Sequence, residues 1–325
     1  EPGGASFGDA LFTATSATCV TGLVLHDTAL YWSPFGQLVI LLLIQVGGMG
    51  VVTIAVAIFM FAGKRIGLKQ RWVMQESISA PQVGGIVRMT GFILKTAFLI
   101  EGVGVLLLAL RFCPQFGLGR GLWYAVFHSV SAFCNAGFDL MGVNSPFSSL
   151  TDYVGDPLVS NVIAFLIIIG GVGFLTWNDI REHKLHFRRY RLQSKLILTT
   201  TLALILTGLL FFLLYEFEQG QWVDMSLWER INAAFFQSVT PRTAGFNTVD
   251  LTGLSQPAQL LIILLMLVGG SPGSTAGGFK TTTLAVMLLG IRAVFRHKER
   301  PQCFGRRIAD ESIRNASAIF LLYLL

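Results

Sequence analysis

Apolar runs of membrane-spanning length, separated by the places where the chain keeps its positive charge, limit this fold more than any other feature. Runs at 34–61, 90–110, 157–177, 193–215 and 257–296 each reach the roughly 20 residues a helix needs to cross a bilayer. Of the 24 Lys and Arg residues, 19 fall in three stretches. Residues 64–95 hold Lys64, Arg65, Lys69, Arg71, Arg88 and Lys95; 181–195 hold Arg181, Lys184, Arg188, Arg189, Arg191 and Lys195; 292–314 hold Arg292, Arg296, Lys298, Arg300, Arg306, Arg307 and Arg314. This is the positive-inside pattern, and it places all three stretches on the cytoplasmic side of the plasma (inner) membrane. Charged residues make up only 13% of the chain, about half the ~25% of a soluble domain. A soluble enzyme, a disordered chain and a disulfide scaffold are excluded on that ground. The net charge of +6 belongs to the cytoplasmic stretches and implies no nucleic-acid partner.

Three shorter apolar pieces, 6–18, 121–133 and 226–239, are too short to cross. Each runs into a glycine: Cys19-Val20-Thr21-Gly22-Leu23, Cys134-Asn135-Ala136-Gly137-Phe138 and Arg242-Thr243-Ala244-Gly245-Phe246. Phe12, Ser16, Ala17, Cys19 and Gly22 reappear as Phe127, Ser131, Ala132, Cys134 and Gly137, and Phe235, Ala244, Gly245 and Phe246 echo the same pattern. Internal repetition of this kind sets the architecture. The unit is long helix, short re-entrant helix, glycine loop, long helix. Two crossings per unit return the chain to its starting side, so all units share one orientation. The sequence divides into a first unit at 1–62, a second at 77–180, a third at 192–297 and the opening of a fourth at 310–325. The fold class expected is an all-α integral membrane protein of helix–pore loop–helix units, arranged pseudo-fourfold around a central ion pathway. The chain opens on Glu1-Pro2 and is still apolar at Leu325, so both ends read as cuts.

The glycine loops carry the chemistry. Re-entrant backbone survives at membrane depth only where it lines a cavity or is buried in protein, and ordered carbonyls there replace a cation's hydration shell. Glycine permits the backbone shapes this requires. Candidate ion-coordinating residues, mainly through backbone carbonyls, are Cys19, Val20, Thr21 and Gly22; Asn135, Ala136 and Gly137; and Thr243, Ala244 and Gly245. They contain no carboxylate, which points to a dehydrated monovalent ion, because divalent sites take carboxylate ligands. Asp139, Asp152, Asp156 and Asp250 lie on the outer side in this topology, where they could gather cations. Gly47, Gly48, Gly50, Gly170, Gly171 and Gly173 read chiefly as helix-packing contacts.

The run 257–296 is too long for one crossing, and Gly269, Gly270, Ser271, Pro272, Gly273, Ser274, Thr275, Ala276, Gly277, Gly278, Phe279 and Lys280 should unwind it within the membrane. A gate beneath the filter is the expected role. Gly273 to Thr281 nearly spells a phosphate-binding loop, but Phe279 separates Gly278 from Lys280 and no soluble βαβ setting surrounds it; Lys280 should instead meet water or carbonyls. Glu101 inside an apolar run is a hydrogen-bonded packing group or a functional one. Arg242 should pair with a carboxylate or with carbonyls behind the filter. His128 has no companion for a metal or proton relay. Cys19, Cys113, Cys134 and Cys303 lack metal or redox spacing, and no catalytic triad, Cys-His pair or paired carboxylates suggest an enzyme or an organic cofactor.

Thr18–Leu23, Phe133–Asp139 and Phe236–Asn247 resemble the pore signatures of the Trk/Ktr/HKT potassium transporter superfamily. Gly269–Gly278 with Phe279-Lys280-Thr281-Thr282-Thr283 resembles the intramembrane loop of its Ktr branch, the KtrB-type membrane subunit. The resemblance covers nearly the whole chain. It implies four helix–pore–helix units around one potassium pathway, with Gly22, Gly137 and Gly245 as three of the four filter glycines. It also implies potassium as the transported ion, stimulation by sodium, a membrane homodimer, and a cytoplasmic nucleotide-binding regulatory ring (KtrA-like) that controls the gate at 269–280. Two further readings stay open: a nonconducting membrane scaffold of the same fold, and a tightly coupled potassium/sodium or proton symporter.

Overall fold

The computed structural model describes residues 4–50, 85–143, 145–297 and 301–324, with 53, 54, 58, 67, 72, 73, 75 and 76. Most of 51–62, the start of the second unit at 77, and Lys64, Arg65, Lys69, Arg71, Lys298 and Arg300 lie outside the described residues.

Helix α1 (Phe7–Cys19) starts where the Ser6 hydroxyl accepts from Asp9 N, and it ends as Val20 turns left-handed. Helix α2 (Pro34–Met49) begins with Pro34 in its first turn and a Ser33 cap, the arrangement that suits a missing N–H. Helix α3 (Ile86–Phe116) is the longest, at 31 residues, and α4 (Leu118–Phe133) folds back along it after Gly117. Helix α5 (Pro157–Val172) is capped by Asp156, which accepts from Leu158 N and Val159 N. Helix α6 (Phe174–His183) follows at once, and α7 (Leu192–Phe211) runs into a π-helical turn at Phe212–Glu216. Helix α8 (Leu227–Val239) carries a full capping box, Ser226 with Glu229; donation from the Ser226 backbone N–H and hydroxyl holds the Glu229 carboxyl below its ordinary range. Helix α9 (Gln256–Leu267) and α10 (Thr281–Phe295) flank an irregular segment. A two-strand hairpin, β1 (Gln302–Cys303) with β2 (Arg306–Arg307), leads to α11 (Asp310–Leu324).

The short helices α1, α4 and α8 have 13, 16 and 13 residues. At 1.5 Å per residue they cover only about 20–24 Å, less than the ~30 Å hydrocarbon layer. Among the described residues two helices, Val87–Phe116 and Leu192–Glu216, are each long and apolar enough to cross alone.

Two expected spans need correction. The run 34–61 does not continue as one helix: α2 stops at Met49 and Gly50 takes φ 83° and ψ 130°. The run 157–177 breaks at Gly173, φ 97° and ψ 145°, and α6 leaves at 94° to α5. These backbone angles are open to glycine alone. Gly50 and Gly173 are therefore helix breakers; Gly173 is a packing contact as well, since a Cβ there would lie 2.9 Å from Pro272 O, and their neighbours also pack. A Cβ on Gly47 would lie 2.0 Å from Thr18 O and one on Gly170 2.0 Å from Phe133 O, so each closing helix touches the last turn of its short helix. Gly170→Ala should lower stability by about 1–3 kcal/mol, the usual result of overpacking, as read by thermal unfolding of the purified protein.

The outer face of the helices is apolar, and the interior, although built mainly of apolar side chains, also takes in uncharged polar ones. Leu99, Leu106 and Leu110 on α3 are 67–70% exposed, while His128, Ser129, Ser131, Gln237 and Ser238 on the short helices are fully buried. Lipid-facing leucines and an interior lined with hydroxyls and amides are what a bilayer selects. Glu101 belongs to this interior. Gln45 Nε2 donates to both its oxygens, at 3.0 and 3.3 Å, and Ser129 Oγ donates to its carbonyl at 2.7 Å, which ties α2, α3 and α4 together.

Candidate ion pathway

Each short helix ends in the same backbone figure. Val20, Asn135 and Thr243 take φ 57°, 57° and 68°, and two residues later Gly22, Gly137 and Gly245 take φ 74°, 71° and 85°. Left-handed geometry is unfavourable for a β-branched residue such as valine or threonine, so local bonds must hold it. They do. Thr21 N donates to Ser16 O at 3.0 Å, Ala136 N to Ser131 O at 2.8 Å, and Ala244 N to Thr240 O at 3.0 Å. Hydroxyls close the far side: Ser131 Oγ donates to Phe138 O and Thr240 Oγ1 to Phe246 O, both at 2.6 Å, and Ser16 Oγ lies 2.8 Å from Thr21 Oγ1. Sequence reasoning overlooked this clasp, although the Ser16–Ser131 identity signalled it.

The three loops meet. A Cβ on Gly22 would stand 2.7 Å from Ala136 O, one on Gly137 2.5 Å from Ala244 O and 3.0 Å from Gly245 Cα, and one on Gly245 3.3 Å from Gly137 Cα. Glycine is therefore required twice over, for its φ and for the approach of the next loop. Each short helix delivers its C-terminal end, with its partial negative charge, to this meeting point.

His128 supports the second loop. Its Nδ1 lies 2.7 Å from Tyr124 O and its Nε2 accepts from Leu140 N at 3.3 Å, which assigns the proton to Nδ1 and leaves no nitrogen for a metal. The outer aspartates hold structure: Asp139 accepts from Met141 N, Asp156 caps α5 and pairs with Arg111, and Asp250 closes a turn on Thr252. Arg242 is buried and pairs with Gly269 O and Thr201 Oγ1, both at 3.5 Å, and its Nε has no partner. Its expected pairing with carbonyls is present; no carboxylate partner occurs among the described residues.

Between α9 and α10 the chain is unwound, and its shape is fixed. Gly269 N donates to Phe279 O, Gly270 N to Gly277 O and Thr281 N to Gly270 O, at 2.9–3.1 Å. Lys280 Nζ turns back to Ala276 O at 2.9 Å, as expected for a lysine seeking carbonyls. Phe279 is buried against the rings of Phe320 and Tyr323 on α11. The segment reaches across to the break after α5: Ser271 N donates to Gly171 O, Thr275 N to Gly170 O, and Phe174 N to Gly273 O. On its other side lies a cavity of about 240 Å3 lined by Cys19, Val20, the 47–50 turn, Thr53 and residues 273–277. Residues 269–280 thus sit beside all three glycine loops, bonded to the elements of the second and third and across a cavity from the first.

A family model for TrkH, a cation transport protein, matches residues 4–325. The chain belongs to the TrkH cation transport family. This TrkH-family chain is 41% identical over 318 residues to the potassium/sodium uptake protein NtpJ of Enterococcus hirae, covering 98% of this chain and 69% of that protein. It is 41% identical over 312 residues to the Ktr system potassium uptake protein B of Bacillus subtilis, covering 96% and 69%. The crystal structure of the potassium transporter TrkH from Vibrio parahaemolyticus superposes with a TM-score of 0.72 at 19% identity, over 98% of this chain. The chain spans 63% of the length of that structure. The fold is that of a TrkH-type membrane protein, helical but for one short hairpin among the described residues, and its relatives are cation transporters that include Ktr system potassium uptake proteins.

Proposed function

We propose that this chain takes up potassium across the cell membrane, passing the dehydrated ion between the glycine loops at 19–22, 135–137 and 243–245, with residues 269–280 as the gate below. One observation carries the reading: three loops from three repeats adopt one backbone figure and lie in mutual contact through Gly22, Gly137 and Gly245. A nonconducting scaffold has no use for strained left-handed backbone three times over. The relatives named for potassium or potassium/sodium uptake support potassium as the ion and sodium as a second one; stimulation by sodium is part of the proposal. The Ktr system relative supports a partner subunit in the same system; a membrane homodimer on a cytoplasmic KtrA-like nucleotide-binding ring is the assembly proposed. The chain itself transports and is not an enzyme.

The test is growth and potassium uptake in a cell lacking its own potassium transporters, using the full-length protein. Restored growth at low potassium, with uptake faster than that of sodium, is the expected result. Normal membrane insertion without uptake would leave the scaffold reading.

A further inference from the structure

The intramembrane segment does more than lie beneath the glycine loops. The Thr275 hydroxyl donates to Phe133 O at 2.9 Å and to Asn135 Oδ1 at 3.2 Å, with its single proton shared between them. Phe133 is the last residue of α4, and Asn135 is the left-handed residue that begins the second loop. A side chain 140 positions along the sequence therefore grips both ends of the turn that shapes this loop. The fit is close: a Cβ on Gly170 would meet Thr275 Oγ1 at 2.7 Å and Asn135 Oδ1 at 2.9 Å, so α5 leaves room for this contact and no more.

Among the described residues, Asn135 has no other anchor for its side chain. It is 1% exposed and its Nδ2 has no partner. Of the amide's two ends, the one bonded to Thr275 is the one that fixes its rotamer. The neighbouring loop has a parallel tie, since Arg242 Nη2 donates to Gly269 O. Among the described residues the first loop has no such tie: Cys19 and Val20 face residues 273–277 across the 240 Å3 cavity.

We propose that Thr275 is a latch through which the intramembrane segment holds the second glycine loop in shape, which makes Asn135 a selectivity-determining position through its side chain as well as its carbonyl. This rests on the reading of 269–280 as a gate and of 135–137 as part of the filter. When the segment withdraws, Phe133 O and Asn135 Oδ1 lose their donor together and the second loop relaxes. The open state then differs from the closed one in the filter as well as beneath it. Thr275 and Asn135 are positioning residues for the ion path, with Thr275 acting through Asn135.

The test uses the full-length protein in liposomes, with potassium and sodium fluxes measured with and without its regulator. Thr275→Val keeps the shape and removes the donor; Thr275→Ser keeps the donor. Thr275→Val should raise unregulated potassium flux about fivefold, the population change that follows loss of one buried hydrogen bond, and should also lower the potassium-to-sodium flux ratio. Thr275→Ser should keep both at the parent values. Asn135→Gly suits a φ of 57° and removes the amide, so it should shift the ratio likewise, and adding Thr275→Val to it should change the ratio no further. Asn135→Gly alone supplies the reading even if Thr275→Val inserts poorly: an unchanged ratio in it would overturn the latch. A Thr275→Val protein with raised flux and an unchanged ratio would overturn the latch and leave the gate standing. Unchanged flux and ratio in Thr275→Val, or additive effects on the ratio in the double variant, would overturn the latch as well.

Discussion

Gly137→Ser is expected to lower potassium flux at least tenfold and to bring the potassium-to-sodium ratio towards one. Two separate penalties combine at this position. A non-glycine residue at φ 71° costs about 1–2 kcal/mol. Its Cβ would also stand 2.5 Å from Ala244 O, inside any allowed contact, so the third loop must retreat. The carbonyl that retreats is one of those proposed to replace the ion's water, and each 1.4 kcal/mol lost from an ion's passage is about a tenfold change. Gly119→Ser is the control, because Gly119 is exposed and a Cβ there meets nothing within 4 Å; it should conduct as the parent does. Both variants are read as potassium and sodium fluxes in liposomes at matched protein content.

Deletion of 271–279 should act in the opposite direction. Thr281 N donates to Gly270 O at 3.1 Å, so the two ends of the deletion already lie side by side and can be joined without moving α9 or α10. What disappears is the set of ties to the second repeat: Ser271 N to Gly171 O, Thr275 N to Gly170 O, Phe174 N to Gly273 O, and the Thr275 hydroxyl to Phe133 O and Asn135 Oδ1. Each buried hydrogen bond contributes about 0.5–1.5 kcal/mol net. Three or four of them are enough to move a closed gate to a mostly open one, so unregulated flux should rise tenfold or more and cease to depend on the regulator. Flux measured with and without the regulatory ring checks this; parent-like behaviour in both conditions would show that the segment only breaks a helix.

The short helices were legible because their limits are local. Apolar pieces at 6–18, 121–133 and 226–239 lie within three residues of Phe7–Cys19, Leu118–Phe133 and Leu227–Val239 at each end, since serine caps, a glycine start and terminal glycine motifs are written in the chain. The unwound segment at 268–280 was legible for the same reason, through Pro272 and its glycines. The breaks at Gly50 and Gly173 were not. An apolar run with Gly-Gly-x-Gly looks the same whether its last glycine packs or turns, and the decision is made by the neighbour: Phe174 N finds Gly273 O only after the third repeat is in place. Thr275 was hidden more deeply, because its partners Phe133 and Asn135 belong to another repeat. The serine and threonine clasps lie between these cases, repeated in the sequence but explained only by the carbonyls they reach.

The central claim is that the meeting point of the three glycine loops binds a dehydrated monovalent cation. The most direct measurement is anomalous X-ray scattering from crystals of the full-length protein grown in rubidium, a potassium mimic. The account requires a rubidium peak within coordination distance of the Ala136 and Ala244 carbonyls, lost when potassium replaces rubidium and retained when sodium is added. A peak confined to the cavity beside Cys19 and residues 273–277, with none at the loops, would contradict it.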